Sequence, residues 1–340
     1  MMCNKRRVEL PLLEPMYSTF HYQGTATSIL VNNPSIRNWY LNNIMELKCD
    51  RSFLSGFTTP SLTIYQSDFS SNPHIEKLWF AMHYLNGCLN KFIRNMIDAG
   101  FYIAFNGIDD YYIPGKSWYH TSHFNHDGLI CGYDQNNKTF CMYAYDNNWV
   151  YRKFWTPQSA FSKSYKIMYD QGVRGSILAI RPKADIISFE KDTALNNIKK
   201  YLDSDMDKYP ENVEGEVYGI AVHNYICKYI DKLYDGSIPY SKMDRRIFRL
   251  IWEHKNVMLE RIEMIEKELQ IDNLISSEYS KIVSDANMIR MLYASHHIKR
   301  RDGTLPTIRE KLYTIMDTER KLLNDLILKS EEKHNAMEIY

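Results

Sequence analysis

The first half of the chain alternates short apolar stretches with turn residues, a pattern typical of β-strands joined by tight loops. The apolar stretches are rich in β-branched and aromatic side chains, and loops such as DQNNK are typical of hairpins. They predict strands over residues 101–105, 127–134, 138–146, 149–154 and 175–182. Strands joined by such short loops pair antiparallel, so we expect an antiparallel meander.

Helical patterns interrupt this meander. Residues 72–100 begin with Asn-Pro, carry apolar residues near helical period and end with glycine. Residues 156–172 begin with Thr156, a good N-cap, and also end with glycine. Within residues 18–43 a run of small residues predicts a further, N-terminal helix. The first half therefore combines a sheet with helices.

From about residue 186 onward the pattern is nearly continuous helix. In one segment the apolar residues follow one another at i, i+4, i+7, i+11, i+14 and i+18, which is one face of a helix. These residues are Ile275, Tyr279, Ile282, Ala286, Ile289 and Tyr293. We predict an α+β fold, with an antiparallel-sheet domain and N-terminal helix over residues 1–185 and a largely helical domain over residues 186–340.

Composition and charge exclude several classes of partner. The 340 residues are 44% hydrophobic and 24% charged, and 42 Lys and Arg balance 41 Asp and Glu. The net charge is close to zero, so it does not favour binding to nucleic acid or to an anionic membrane. No stretch approaches the roughly 18 apolar residues of a membrane span. The N-terminus lacks the uninterrupted apolar core of a signal peptide. Without a predicted signal peptide or membrane span, we expect a cytoplasmic protein. The six cysteines form no C-x-x-C pair, which argues against a zinc or redox site, and we expect no metal or cofactor.

Candidate chemistry begins with the stretch HFNHDGLICGYD, residues 123–134. His126 is the first residue of a predicted strand, and Asp146 lies at the exit of the next one. In an antiparallel pair, the start of one strand lies beside the end of its neighbour. His126 and Asp146 could therefore be a general base and its orienting carboxylate, or an edge-strand histidine and a solvated aspartate.

This pattern resembles that of the papain-like cysteine peptidases. In that family a strand begins with the catalytic histidine in H-x5-G-Y, and the next strand carries Asn or Asp shortly before Trp. Here the matching residues are His126, Gly132, Tyr133, Asp146 and Trp149. The resemblance implies a papain-like fold, with His126 as the general base and Asp146 as the residue that fixes its tautomer.

The same family places its catalytic cysteine at the start of an upstream helix, after a glutamine that donates to the oxyanion. Gln23 and Gly24 are present, but no cysteine follows them. Ala26 is the presumed nucleophile position, either in an inactivated variant or in a natural pseudoenzyme. Gln23 lies close to Ala26 for the spacing of the family, which puts its oxyanion role in doubt.

Two other sources of a nucleophile remain open. The hydroxyl of Thr27 or Ser28 could act, although most such residues only cap or hydrogen-bond locally. Alternatively, Cys3 or Cys49 could reach the site.

A closer resemblance covers most of the first half. FHYQGTATSIL, SIRNWYLNN and the stretch of residues 119–146 are similar to the N-terminal domain of butirosin biosynthesis protein H and to closthioamide amide synthase. In the butirosin pattern the cysteine falls near Tyr22. The resemblance implies an amide-forming acyltransferase of antibiotic biosynthesis. Its partners would be an acyl or peptidyl carrier protein bearing a phosphopantetheine thioester, and an amine acceptor.

Alternatives of a different class are a catalytically silent module that binds a carrier protein or peptide, and a cysteine-type peptidase. Several aromatic residues could line an acyl pocket or belong to the core. These are Tyr22, Trp118, Tyr119, Tyr143 and Trp149. His120 and His123 precede His126 at three-residue spacing, which on a strand points them to alternating faces and disfavours a metal site. The basic stretch ASHHIKRRDG would complement a helix end or bind an acidic carrier protein.

Overall fold

The computed structural model describes residues 7–55, 58–85, 87–204 and 215–338. In this part of the chain the strands are β1 (Arg7–Glu9), β2 (Leu47–Asp50), β3 (Thr63–Ile64), β4 (Ile75–Ala81), β5 (Tyr102–Asp109), β6 (Asn125–Asp134), β7 (Thr139–Tyr145), β8 (Tyr151–Pro157), β9 (Ser176–Pro182) and β10 (Glu216–Tyr218). The α-helices are α1 (His21–Ser28), α2 (Ile36–Asn43), α3 (Leu89–Asp98), α4 (Gln158–Asp170), α5 (Lys191–Asp203), α6 (Val222–Tyr234), α7 (Ile247–Leu269), α8 (Leu274–Lys299) and α9 (Thr304–Glu338).

The chain folds into two compact units. The first contains the residues up to Ile36 together with Asp68–Ile186, and the second contains Arg37–Ser67 together with the residues from Ile187 onward. The boundary between residues 186 and 187 lies next to the predicted division after residue 185. Arg37–Ser67, which the sequence pattern placed in the first domain, folds with the C-terminal helices.

The first unit is built on a seven-stranded sheet. Its order is β4-β9-β5-β6-β7-β8, and β1 pairs with the end of β6. Every pairing in this sheet is antiparallel, as the hairpin loops predicted. Gly132 of β6 permits the close approach of β1, since a Cβ there would lie 2.5 Å from the carbonyl oxygen of Val8. The predicted α+β class, with an antiparallel sheet and a helical C-terminal part, is confirmed.

The helix predicted over residues 72–100 is wrong in its first part. Residues 75–81 form strand β4, and the helix, α3, begins only at Leu89. All seven residues of β4 pair with β9, so the ladder of backbone hydrogen bonds outweighs the local helical spacing.

Helices cover both faces of the sheet. Successive strand residues point to opposite faces. On one face Ile130 and Met142 belong to a core shared with α3 and α4. On the other face α1 packs, and seven of its eight residues are buried. Gly24 makes this contact possible, because a Cβ there would lie within 2.9 Å of the Tyr151 ring.

The second unit combines the strands β10-β2-β3 with α2 and the helices from α5 onward. Arg261 of α7 is buried, and its guanidinium donates to the carbonyl oxygens of Leu41 (2.6 Å) and Ile44 (2.8 Å) at the end of α2. His254, also in α7, donates from Nε2 to the Met45 carbonyl oxygen at 2.8 Å. A cation at a helix C-terminus is favourable, so these bonds attach Arg37–Ser67 to the helical unit.

A buried ion pair joins α7 to α9. Lys255 Nζ donates to Glu319 Oε2 at 2.6 Å, and both side chains are fully buried. The Tyr201 hydroxyl donates to the same oxygen at 3.0 Å, and the Tyr279 hydroxyl donates to Oε1. Burial alone would raise the pKa of Glu319, but its interactions with Lys255, His223 and His254 together outweigh burial and lower the pKa. The carboxylate therefore stays charged inside the helical unit. Across the described residues, none of the helices is both long and apolar enough to cross a membrane.

We predict that Lys255→Met will strongly destabilise the protein. Removing one member of a buried pair leaves the other charge uncompensated, which typically costs about 3–5 kcal/mol. The measurement is urea unfolding followed by circular dichroism. Lys199→Met is the matched control, because Lys199 pairs with Glu331 at 2.9 Å where both side chains are about half exposed. We expect this control to lose at most about 1 kcal/mol, and an equal loss in both variants would contradict the prediction.

Candidate functional site

His126 lies at the start of β6 and contacts a buried carboxylate. Its Nδ1 is 2.9 Å from Asp110 Oδ2. The Asp110 side chain is 2% exposed, whereas that of His126 is 25% exposed. An ionised carboxylate only accepts hydrogen bonds, so we assign the proton of neutral His126 to Nδ1. The lone pair of Nε2 then faces away from Asp110, as a general base requires.

The end of β5 positions Asp110. Asp109, the last residue of β5, accepts the backbone N–H groups of Tyr111 and Phe124, each at 3.0 Å. The Asp110 N–H in turn donates to the Phe124 carbonyl oxygen at 2.9 Å. These bonds form a tight turn beside the start of β6, and the Asp110 carboxylate therefore lies next to His126.

Asp146, the predicted partner of His126, has other partners. Its Oδ1 accepts the backbone N–H groups of Asn148 (2.8 Å) and Val150 (2.9 Å), and its Oδ2 accepts from Arg152. Burial would raise the pKa of Asp146, but these bonds outweigh it and lower the pKa. Asp146 thus closes the turn between β7 and β8, and the structure gives His126 a different carboxylate.

A buried lysine lies beside the His126–Asp110 pair. Lys116 Nζ is 3.6 Å from Asp110 Oδ2 and 3.4 Å from His126 Nδ1. Burial lowers the pKa of Lys116, while Asp110 and Asp127 oppose that shift. Lys116 is the cation that balances the Asp110 carboxylate.

His21, the first residue of α1, faces His126 from the helix. The two ring centroids are 4.5 Å apart. His21 Nε2 accepts the backbone N–H of Tyr145 at 3.1 Å, so its proton lies on Nδ1, which donates to Asp127 Oδ1 at 2.8 Å. Burial lowers the pKa of His21, and the bond to Asp127 offsets only part of that shift. His21 is therefore a neutral imidazole with both nitrogens engaged.

Asp127, the next residue of β6, lies opposite a β-bulge. In the β5–β6 ladder Phe105 pairs with Gly128 and Ile108 with His126, so residues 106 and 107 both lie opposite Asp127. The extra residue bends β5 at this point, and such bulges are frequent next to active sites. Gly107 suits the bulge because its φ is +77°. Asp127 Oδ1 lies 3.7 Å from His126 Nε2.

Two cavities meet at Asp127. The larger, about 400 Å³, is lined by Asn106, Gly107, Asn125, His126, Asp127, Val173, Arg174 and Gly175. The smaller, about 140 Å³, is lined by Tyr22, Thr25, Phe69, Trp79, Ala104, Phe105, Asn106, Asp127, Gly128, Ser176 and Leu178. Asn106 and Asp127 line both. His126 thus opens onto a polar cavity, and an aromatic cavity adjoins it.

The predicted nucleophile positions lie away from His126. Ala26 is fully buried inside α1. Thr27 Oγ1 donates to the Gln23 carbonyl oxygen (3.1 Å) and Ser28 Oγ to the Thr25 carbonyl oxygen (3.4 Å), both local helix bonds. Gln23 is buried and lines neither cavity. Its oxyanion role stays a prediction.

The sequence also offered two cysteines as alternatives. Cys49 is buried in β2 of the second unit, and burial raises its pKa to about 12. Cys3 lies outside the described residues.

Of the five predicted aromatic residues, Tyr22 lines the smaller cavity. Trp118 packs edge-on against Trp149, with ring centroids 6.1 Å apart, and Tyr143 packs against Tyr151 at 4.5 Å. Tyr119 stacks on His120. These four do not line either of the two cavities.

Three groups at the site have the ligand types of a metal centre. The ligand atoms of His21, His126 and Asp127 lie within 4.8 Å of one another. The tautomer of His21 disfavours this use, because its Nδ1 proton occupies the position that a cation would need. His120 and His123 are not part of this group. His123 instead pairs with Asp109 at 2.6 Å and is 65% exposed.

Sequence reasoning missed four residues of this site: His21, Asp110, Lys116 and Asp127. His21 stands directly before Tyr22, where the butirosin pattern places its cysteine, and that neighbourhood was the available signal. Asp110 gave no sequence signal, since only the turn after β5 brings it to His126. Asp127 directly follows His126, but consecutive strand residues normally point to opposite faces.

We predict that His21 is still neutral, with its proton on Nδ1, at about pH 6.5, where a free imidazole is half protonated. Its folded pKa is below the unfolded value near 6.5, so the stability it contributes is complete above that pH and lost as the pH falls towards the folded pKa. Long-range ¹⁵N NMR of the imidazoles reports the tautomer, with His21→Gln to assign the signals. A proton on Nε2, or protonation near pH 7, would contradict the assignment.

We also predict that a thiol at position 21, but not at position 26, is activated by His126. In His21→Cys the thiol stands at a helix N-terminus beside an imidazole, both of which favour the thiolate. Iodoacetamide labelling mapped by mass spectrometry should be fast below about pH 7 and slow once His126→Ala is added. Ala26→Cys is the matched control, and its buried thiol should label slowly. Faster labelling at position 26 than at position 21 would support Ala26 as the nucleophile position, as the sequence predicted.

No protein-family model matches this sequence, and no curated protein matches it. The resemblances to papain-like peptidases and to the N-terminal domain of butirosin biosynthesis protein H therefore stay predictions drawn from individual motifs.

Proposed function

We propose that the protein is an acyltransferase that forms an amide by direct transfer, with His126 as general base and Asp110 as its positioning residue. The observation that carries this proposal is the His126–Asp110 pair, whose Nδ1–Oδ2 distance is 2.9 Å, at the wall of a cavity of about 400 Å³. Such a pair holds the imidazole in one tautomer and stabilises the imidazolium that forms during proton transfer.

Direct transfer is favoured because no hydroxyl or thiol side chain of the described part of the chain lines the larger cavity, onto which His126 opens. The lining of the larger cavity contains no Ser, Thr or Cys among the described residues. At the start of α1, where a papain-like enzyme would carry its cysteine, His21 has both nitrogens hydrogen-bonded. The attacking group must then belong to the second substrate.

The proposed reaction balances without any further reagent. An amine nitrogen attacks the carbonyl carbon of a thioester, a C–N bond forms and the C–S bond breaks. His126 takes a proton from the nitrogen and returns it to the departing sulfur, so the products are an amide and a thiol. Thioester aminolysis is downhill, and exclusion of water from the cavity would limit hydrolysis.

We further propose that the fold of the first unit is a papain-like arrangement in which position 21 is the former nucleophile seat. A buried helix packs on an antiparallel sheet, and its first residue faces a histidine at the start of a strand. The donor would then be an acyl or peptidyl carrier protein with a phosphopantetheine arm, as the motif resemblance implies.

A second candidate is a binding module without catalytic activity. The observation that favours it is again His21, whose neutral ring closes the position from which a papain-like enzyme attacks. In that case His126 and Asp110 would be a polar structural pair at the wall of a ligand cavity.

The test is a panel of N-acetylcysteamine thioesters and primary amines, with amide formation followed by mass spectrometry. We expect amide formation that falls about 10²–10⁴-fold in His126→Gln, the usual contribution of a general base. In Asp110→Asn the rate of amide formation should fall less than in His126→Gln, and the pH dependence of the rate should shift, since Asp110 acts through His126.

The chain offers matched controls away from the site. His123→Gln changes the same residue type three positions away at a solvent-exposed side chain, and Asp170→Asn changes an exposed aspartate of α4. Both should retain the wild-type rate. Intact mass after incubation with donor alone should show no acyl adduct. No turnover with any donor, or rates insensitive to His126, would favour the binding module.

A further inference from the structure

The smaller cavity beside the His126 base combines a carboxylate with aromatic walls. Its lining includes Tyr22, Phe69, Trp79 and Phe105 on the apolar side and Asp127 on the polar side. Its volume is about 140 Å³, and a cavity of about 150 Å³ lined by apolar side chains accommodates a benzene ring. The space suits one small aromatic or similarly compact apolar group.

Asp127 carries the charge of this cavity. Burial alone would raise its pKa, but the hydrogen bond from His21 and the electrostatic interactions with His21, His126 and Lys116 together outweigh burial and lower the pKa. Its side chain is 36% exposed, so one edge of the carboxylate remains open to the cavities while Oδ1 accepts from His21.

The formal charges around the site leave room for one cation. Asp110 and Asp127 are two carboxylates, and Lys116 is a single ammonium group that lies 3.6 Å from Asp110. His21 is neutral because of its burial and its two hydrogen bonds. In the state in which His126 can act as a base, without a proton on Nε2, the cluster carries one net negative charge, and the open side of that charge is at Asp127.

We propose that Asp127 and the aromatic cavity bind the amine acceptor as an ammonium ion whose aromatic or compact apolar group enters the smaller cavity. Ammonium groups are recognised by carboxylates and by the faces of aromatic rings, most strongly by Trp. This assignment rests on the proposed acyl transfer for its role, but it concerns a binding step that occurs without the acyl donor.

The position of Asp127 also fits the proton steps. Its Oδ1 lies 3.7 Å from His126 Nε2, so a nitrogen held by Asp127 is close to the base. The ammonium gives one proton to His126 and then attacks the thioester. The tetrahedral intermediate gives a second proton to Asp127, which passes it to solvent, and His126 returns its own proton to the departing sulfur.

The experiment uses isothermal titration of the full chain with 2-phenylethylamine, without donor. The matched probes are 2-phenylethanol, which lacks the charge, and ethylamine, which lacks the ring. We expect 2-phenylethylamine to bind at least about tenfold more tightly than either probe. Asp127→Asn, which can still accept from His21, should remove the preference for amine over alcohol. Trp79→Ala should remove the preference for the aromatic amine over ethylamine.

Two control variants lie outside the cavity. Glu76→Gln alters another partly exposed strand carboxylate, and Trp149→Ala removes another exposed indole. Both should bind like wild type. Equal affinity for amine and alcohol, unchanged binding in Asp127→Asn, or no saturable binding up to about 10 mM would overturn the assignment.

The outcomes separate this inference from the proposed function. Selective amine binding without amide formation from any thioester would leave the ammonium site and refute acyl transfer. Amide formation at rates that do not depend on Asp127 would support acyl transfer and refute the ammonium site.

Discussion

The pairing of β5 with β6 is the constraint on which the site depends. His126 and Asp127 are consecutive residues of β6, and two residues of a bulge in β5 lie opposite Asp127. Gly107 adopts a positive φ in this bulge, and a Cβ at this position would lie 2.9 Å from the Gly175 Cα. Asn106 and Gly107 line the larger cavity together with His126 and Asp127, so the bulge forms part of the wall of the site.

The buried helix α1 supplies the other side of the site. From Gly24 onward its residues are small, and Gly24 lets the helix lie directly on the sheet against Tyr151. The Tyr145 backbone N–H then sets the tautomer of His21, and the tautomer sets the direction of the bond to Asp127. A run of polar groups results, Asp110, His126, Asp127 and His21, in which each ring nitrogen has an assigned role. Such an arrangement favours proton transfer at His126 and disfavours nucleophilic attack from α1.

Burial separates two neighbouring histidine–aspartate pairs that look alike in sequence. One pair is His123 with Asp109, and the other is His126 with Asp110. The two histidines are three residues apart in the sequence, and the two aspartates are adjacent. His123 is 65% exposed, and Asp109 also closes a turn, so that pair has a structural role. His126 lies at the wall of a cavity, next to a buried lysine, where water competes less with its contacts. Position relative to the cavity distinguishes the two pairs.

Local patterns determined much of the fold. Alternation and hairpin loops predicted the strands from residue 101 onward, and helical periodicity predicted α8 and a largely helical C-terminal half, because both signals come from residues near one another in the chain. They also singled out His126. Only the tertiary structure decided that residues 75–81 pair as a strand and that Arg37–Ser67 joins the helical unit. It likewise decided that His126 pairs with Asp110 and that Asp146 closes a turn. It also decided that His21, and not Ala26, is the residue of α1 that faces His126. These contacts join segments far apart in sequence or depend on a bulge and a turn, and no local spacing encodes them.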